Sequence, residues 1–239
     1  MIGFSQRIRY EWMEQTASMV LGGMERPEID KALQRILKDK VSVGSNVRGS
    51  NREKTISILM RIWVSPRDER EPFRNDALAL LRNLPRNQHM PIHWGMTMTV
   101  YPFWGSVAEI VGQLLRLQNE VGAAQTQRRL KEVYGERETV ARAARRTIRS
   151  YVDWEVLEKS ERSGIYRRGK TIACEDDQLI SWLVEAYLLS NNHDTAPLRS
   201  IVLSPMFFPF SLKSESASRI AVTSPRLEVD GQGACWLRS

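Results

Sequence analysis

Between Asn87 and Ala108 the chain carries no Asp, Glu, Lys or Arg. A run of that length has to be sheltered from water, either in a bilayer or in a protein core. A spanning helix needs about 20 predominantly apolar residues, but this stretch holds His89, His93, Thr97, Thr99 and Ser106 and is interrupted by Pro91 and Pro102. We therefore expect two buried helices meeting at Pro102, and no membrane partner. The composition permits a core around them: 239 residues, 42% hydrophobic and 26% charged, are enough to bury a substantial interior.

The residues before this stretch read as helices separated by short joints. Glu11 to Leu21 has an apolar side of Trp12, Met13, Thr16, Met19 and Val20, and Gly22-Gly23 ends it. Pro27 sits where a first-turn proline is tolerated, ahead of Ile29, Leu33, Ile36 and Leu37 at helical spacing. After a small-polar loop over Ser42–Asn51, Ser50 or Asn51 caps a helix carrying Ile56, Leu59, Met60 and Trp63, which Pro66 stops. Pro72 opens another, and Pro85 stops it. Helix following helix across short joints indicates an all-α unit.

From Trp104 the pattern changes. One amphipathic helix carries Val107, Ile110, Val111, Leu114, Leu115 and Leu117, a second runs from Ala123 to Tyr134, and a third from Thr139 to Val152. Short β-prone pieces follow at Val156-Leu157, Ile165-Tyr166 and Thr171–Ala173. Three helices and then a β-hairpin is the winged-helix order, an elaborated helix-turn-helix. Beyond Glu175 we expect a further helix through Leu179, Trp182, Leu183 and Ala186. A docked apolar loop or short helix within Pro197–Phe210 and short strands at RIAVT, RLEV and ACWLR complete the tail. The expected fold is thus mainly α: an N-terminal helical bundle (1–103), a winged-helix unit (104–175) and a mixed α/β tail (176–239).

The formal charge is +7. Residues 121–173 hold thirteen Lys/Arg against seven Asp/Glu, so nearly the whole excess lies in under a quarter of the chain. Within it, Arg142, Arg145, Arg146 and Arg149 fall inside about a 100° arc of the third helix, opposite Val140, Ala143, Ala144, Thr147, Ile148 and Tyr151. Small residues let that side pack closely, and arginine suits phosphate forks and guanine edges. Arg137 extends the patch, Arg128 and Arg129 add to it from the second helix, and Arg162, Arg167, Arg168 and Lys170 from the hairpin. The expected partner is double-stranded DNA, met by the third helix in the major groove and by the wing along the backbone. A solvated helix face with Glu–Arg pairs is the plainer reading, and a winged helix that docks a protein is the alternative.

Signals for catalysis are sparse. His89 and His93 stand four apart, but a zinc site needs further ligands, and a packed imidazole pair beside Trp94 is the simpler reading. There is no phosphate-binding glycine loop, no GxSxG and no HExxH. Glu175-Asp176-Asp177 suits the acidic first turn of the helix that follows. Cys174 and Cys235 are read as reduced thiols of a cytoplasmic protein, and the first residues lack the apolar run of a secretory leader. No enzyme activity, cofactor or small-molecule substrate is expected.

The Ser5-Gln6-Arg7 start, the polar loop followed by Asn51-Arg52-Glu53-Lys54-Thr55 and the later winged-helix element together resemble the BrxA family of bacteriophage-defence islands, over residues 1–175 and in the order of elements. The resemblance implies a non-enzymatic, cytoplasmic DNA-binding accessory of a BREX-like system, with an N-terminal part likened to the NusB antitermination protein. It also implies other subunits of a defence complex as partners, and it brings no catalytic residues.

Overall fold

The computed structural model describes residues 3–41, 50–191, 195–213 and 223–238. The protein is mainly helical, with small sheets. Helices α1 (Tyr10–Leu21), α2 (Arg26–Ile36), α3 (Asn51–Trp63) and α4 (Glu71–Asn83) form the first part. Their ends follow from local chemistry. Glu25 and Glu28 form a reciprocal capping box on α2, with Pro27 in its first turn. The Ser50 hydroxyl accepts from the Glu53 amide at 3.2 Å and caps α3. Of the polar loop, residues 42–49 lie outside the described residues.

The uncharged run becomes α5 (His89–Val100) and α6 (Pro102–Gln118), joined at Tyr101. From Pro91 to Thr99 every residue of α5 is buried, which makes it the central helix of the molecule. Trp94 sits at its middle, ringed by Trp104, Tyr151, Trp154, Phe208 and Phe210. Gly95 lets α9 (Asp177–Asn191) cross closely, because a Cβ there would lie 2.3 Å from the Trp182 ring. No helix among the described residues is long and apolar enough to cross a membrane.

After α6 come β1 (Glu120–Gly122), α7 (Ala123–Tyr134), α8 (Glu138–Asp153), β2 (Leu157–Lys159) and β3 (Ile165–Arg168). The three strands form an antiparallel sheet in the order β1-β3-β2, with Val121 opposite Tyr166 and Glu158 opposite Arg167. β1 is not foreshadowed in the sequence, since three residues are too few to display alternation.

The tail folds back over the body. β4 (Ile172–Cys174) pairs in parallel with β6 (Phe210–Leu212), β5 (Thr195–Pro197) joins β8 (Ala234–Leu237) and β7 (Leu227–Val229), and the short α10 (Leu198–Val202) lies between β5 and β6. Of the expected RIAVT strand only Thr223 lies within the described residues. Met206, Phe207, Phe208 and Phe210 are buried. A single apolar cluster contains residues from all three stretches of the chain, so the boundaries expected near 103 and 175 do not separate independent cores.

The first described residues bind the two halves together. Phe4 is fully buried edge-on to Tyr101 and Trp104. The Ile8 amide donates to Ser150 Oγ at 2.8 Å, and Trp154 Nε1 donates to the Ile8 carbonyl at 3.0 Å. Residues 3–9 therefore run along one side of α8.

Candidate nucleic-acid interface

α8 is a helix because apolar and compact side chains recur at helical spacing on its inward face, with Ala141, Ala143 and Ala144 adding strong helix propensity. Val140, Ala141, Ala143, Ala144, Thr147, Ile148 and Tyr151 are all buried. Its outward stripe carries Glu138, Arg142, Arg145 and Arg149, all exposed. Arg142 and Arg149 have no hydrogen bond or ion pair to any described residue. Arg145 reaches back to Glu138 at 2.8 Å, a pairing that occupies one of the four arginines.

Arg146 has a different role. It donates to the Ser5 carbonyl and is half-buried by the N-terminal segment. Burial lowers its pKa, and the neighbouring charges of Arg142 and Arg149 lower it further. It remains a cation, but its guanidinium holds the fold. The arginine face expected from the sequence is thus narrower than its periodicity indicates, because residues 3–9 cover one flank.

On α7, Arg128 is exposed and Arg129 half-buried, neither with a partner among the described residues. Arg137 donates to the Tyr134 carbonyl at 3.1 Å, across the turn between α7 and α8.

The hairpin turns at Ser160–Gly164, with Gly164 at φ +76°, a left-handed conformation glycine adopts without strain. Arg162 at the tip and Arg167 on β3 both bind Glu120 of β1, Arg167 at 2.9 Å. Those hydrogen bonds and charges hold the Glu120 carboxyl below its ordinary range. Two of the expected hairpin cations lie elsewhere. Arg168 turns to the opposite side and donates to the Phe208 carbonyl, where burial lowers its pKa. Lys170 pairs with Glu155 at the base of the hairpin and lines a separate cleft with Arg9 and Arg86. Both departures follow from the pleat and from the end of the ladder, which sequence proximity to the tip does not reveal.

Two basic clefts lie beside α8. The one toward the hairpin, about 420 Å³, is lined by Arg7, Arg149, Lys159 and Arg162. The other, about 500 Å³, lies toward α3 and is lined by Lys54, Arg137, Arg142 and Arg146. Among the described residues no carboxylate lines either cleft. Arg7, Lys54 and Lys159 are the cations that charge patterning along α7 and α8 does not single out. Arg7 is set beside α8 by its ion pair with Asp153, and Lys54 by the tie between Gln6 Nε2 and Asn51 Oδ1 at 3.2 Å.

The remaining chemistry-bearing residues are packed within the fold. His93 Nε2 donates to Glu14 at 2.8 Å, His89 Nδ1 lies 3.1 Å from the same carboxylate, and Tyr10 donates to it at 2.8 Å. Burial works against the Glu14 charge, but these partners outweigh it and bring its pKa to about 2. Burial lowers the pKa of His93, which is fully enclosed. Among the described residues no group of three or more His, Cys, Asp or Glu is arranged to hold a metal ion. Cys174 and Cys235 are buried thiols pushed up to about 12 and about 11, so neither is a nucleophile at neutral pH. His193 lies outside the described residues. Asp176 caps α9, accepting from the Leu179 amide at 2.8 Å. Comparison with known protein families, with curated proteins and with solved structures finds no match.

Proposed function

We propose that this protein binds double-stranded DNA without catalysing a reaction, using α8 as the recognition helix and the β2–β3 hairpin as the wing of a winged-helix unit. The order α6–β1–α7–α8–β2–β3 with sheet order β1-β3-β2 supports that unit. The observation that carries the reading is the pair of unpartnered arginines, Arg142 and Arg149, on an exposed helical stripe beside carboxylate-free basic clefts. Arg142 and Arg149, with Lys54 and Lys159 beside them, have no acid partner among the described residues and repel one another, and a polyanion relieves that repulsion while releasing counterions. The resemblance in element order to the BrxA family supports a place as an accessory in a phage-defence system.

The test is fluorescence anisotropy on a short labelled duplex across a salt series. Binding should weaken with log–log slope about −4 to −5 if five phosphates are contacted. Arg142→Gln with Arg149→Gln should lower affinity at least tenfold while leaving the unfolding midpoint unchanged, since neither side chain has a partner to lose. Equal affinity of that variant and the parent defeats the assignment. A second reading, docking of an acidic partner protein, draws on Glu138 and Glu120, which already occupy Arg145, Arg162 and Arg167 as an acidic segment would. Retention of such a partner by a protein that ignores duplex DNA would favour it.

A further inference from the structure

We infer that the cleft between α8 and α3 seats DNA phosphate backbone, which makes the N-terminal helices part of the DNA interface. The inference rests on the DNA-binding reading above and extends it to residues far outside the α6–β3 unit.

The geometry begins with the helix itself. An α-helix with its side chains is about 10–12 Å across, and the major groove is about 12 Å wide. A helix lying in that groove therefore has a sugar–phosphate backbone along each of its two flanks. Along α8 the two basic clefts follow one another, the α3-side cleft beside Thr139, Arg142 and Arg146 and the hairpin-side cleft beside Arg149 and Val152. The hairpin side offers Arg149 and Lys159, with Arg162 bound to Glu120 beside them, and the α3 side offers Lys54, Arg137 and Arg142; among the described residues no carboxylate lines either.

The second cleft is assembled from two ends of the chain. Lys54 is exposed and has no partner among the described residues. Residues 3–9 bridge α3 and α8 beside it. Gln6 holds Asn51 at the start of α3, and Ser5 accepts from Arg146 of α8. Gly3, which has no side chain, and Thr139, whose hydroxyl adds a donor, complete the lining that a phosphate oxygen would meet. Arg146 is occupied by Ser5 and one Arg137 nitrogen by the Tyr134 carbonyl, so the groups left to bind an anion are Lys54, Arg142 and the remaining donors of Arg137.

The test uses the full chain and the same labelled duplex from about 50 to 300 mM salt, the range over which phosphate neutralisation dominates affinity. Lys54→Gln with Arg137→Gln is compared with a charge-matched control, Lys31→Gln with Lys38→Gln, on α2 and just beyond it, outside both clefts. The cleft variant should bind about tenfold more weakly at about 150 mM salt, and its log–log slope should be shallower by about 2, at roughly 0.9 for each phosphate that is no longer neutralised. The control should change the slope by less than about 0.5. Circular dichroism and the unfolding midpoint should not move in either variant. If the cleft variant binds no more weakly than the control while Arg142→Gln with Arg149→Gln abolishes binding, the α3 side seats no backbone and the DNA reading stands. If the parent protein fails to bind duplex even at the lowest salt, both inferences fall together.

Discussion

At residue scale, the buried polar group with the clearest consequence is His93. It is fully enclosed between the rings of Tyr10 and Trp63 and donates to Glu14. Burial holds its folded pKa below the ordinary 6.5, so the unfolded chain takes up a proton more readily than the folded one. As pH falls below 6.5, this group's contribution to stability is lost, at up to about 1.4 kcal/mol per pH unit. Glu14, held at about 2, adds a second loss as pH falls from its ordinary 4.5 toward 2. His93→Gln keeps a donor facing Glu14 and cannot titrate. The variant should lose less stability than the parent between about pH 7 and pH 5, measured by urea midpoints at the two pH values. Parallel losses would show that His93 does not titrate between the states.

The same scale separates the arginines. Arg142, Arg145, Arg146 and Arg149 are equivalent in the helical pattern, yet one is bound to Ser5, one to Glu138, and two have no described partner. Periodicity reports direction around an axis. It says nothing about which segment, brought from the far end of the chain, lies over that direction.

At the scale of elements, the sheet governs the charge of the hairpin. Glu120 of β1 binds Arg162 and Arg167, so those cations are partly neutralised in the free protein. Glu120→Gln should leave both guanidiniums uncommitted, tighten duplex binding several-fold at low salt and steepen the salt slope. Unchanged affinity would place the hairpin outside the interface. α6 supplies a stability test. A Cβ at Gly112 would lie 2.1 Å from the Pro205 carbonyl oxygen, a backbone atom that cannot swing aside. Gly112→Val should destabilise the protein by about 3 kcal/mol, at the upper end of overpacking costs, because the segment carrying Met206, Phe207 and Phe208 must move off the core. Thermal unfolding checks this.

Much of the element pattern was legible beforehand. The helix expected over Glu11–Leu21 spans Tyr10–Leu21, that over Ala123–Tyr134 has those bounds, and that over Thr139–Val152 spans Glu138–Asp153. Prolines, glycines and caps act within a few residues, so their effect can be read from neighbours. β1, β5 and β6 have three residues each and exist only because a partner strand lies beside them. Nothing local marks them.

For the whole molecule, the tail is held by a charge group spanning the chain. Arg226, near β7, donates to Glu185 on α9 at 2.6 Å and binds Asp76 on α4. Glu185 is almost wholly buried, and burial raises its pKa despite the arginine. Removing the cation strands a buried carboxylate. Arg226→Met should cost about 3 kcal/mol, whereas adding Glu185→Leu to it should recover most of that, because a buried pair replaced by apolar groups is often neutral. Denaturant midpoints of both variants decide the matter, and no recovery in the double variant would show that the pair does more than satisfy itself.

By itself the sequence determined where most helices begin and end, that most of residues 89–108 lie inside, and that the positive charge collects on residues 121–173. These follow from short-range sterics, capping and the exclusion of apolar surface from water. The tertiary structure alone decided which cations face outward. Ser5, Phe208, Glu120 and Glu155 reach Arg146, Arg168, Arg162, Arg167 and Lys170, while Arg7 and Lys54 arrive beside α8 from the other end of the chain. A charge is a property of a residue. Its availability to a partner depends on every group the fold brings within hydrogen-bonding distance of it.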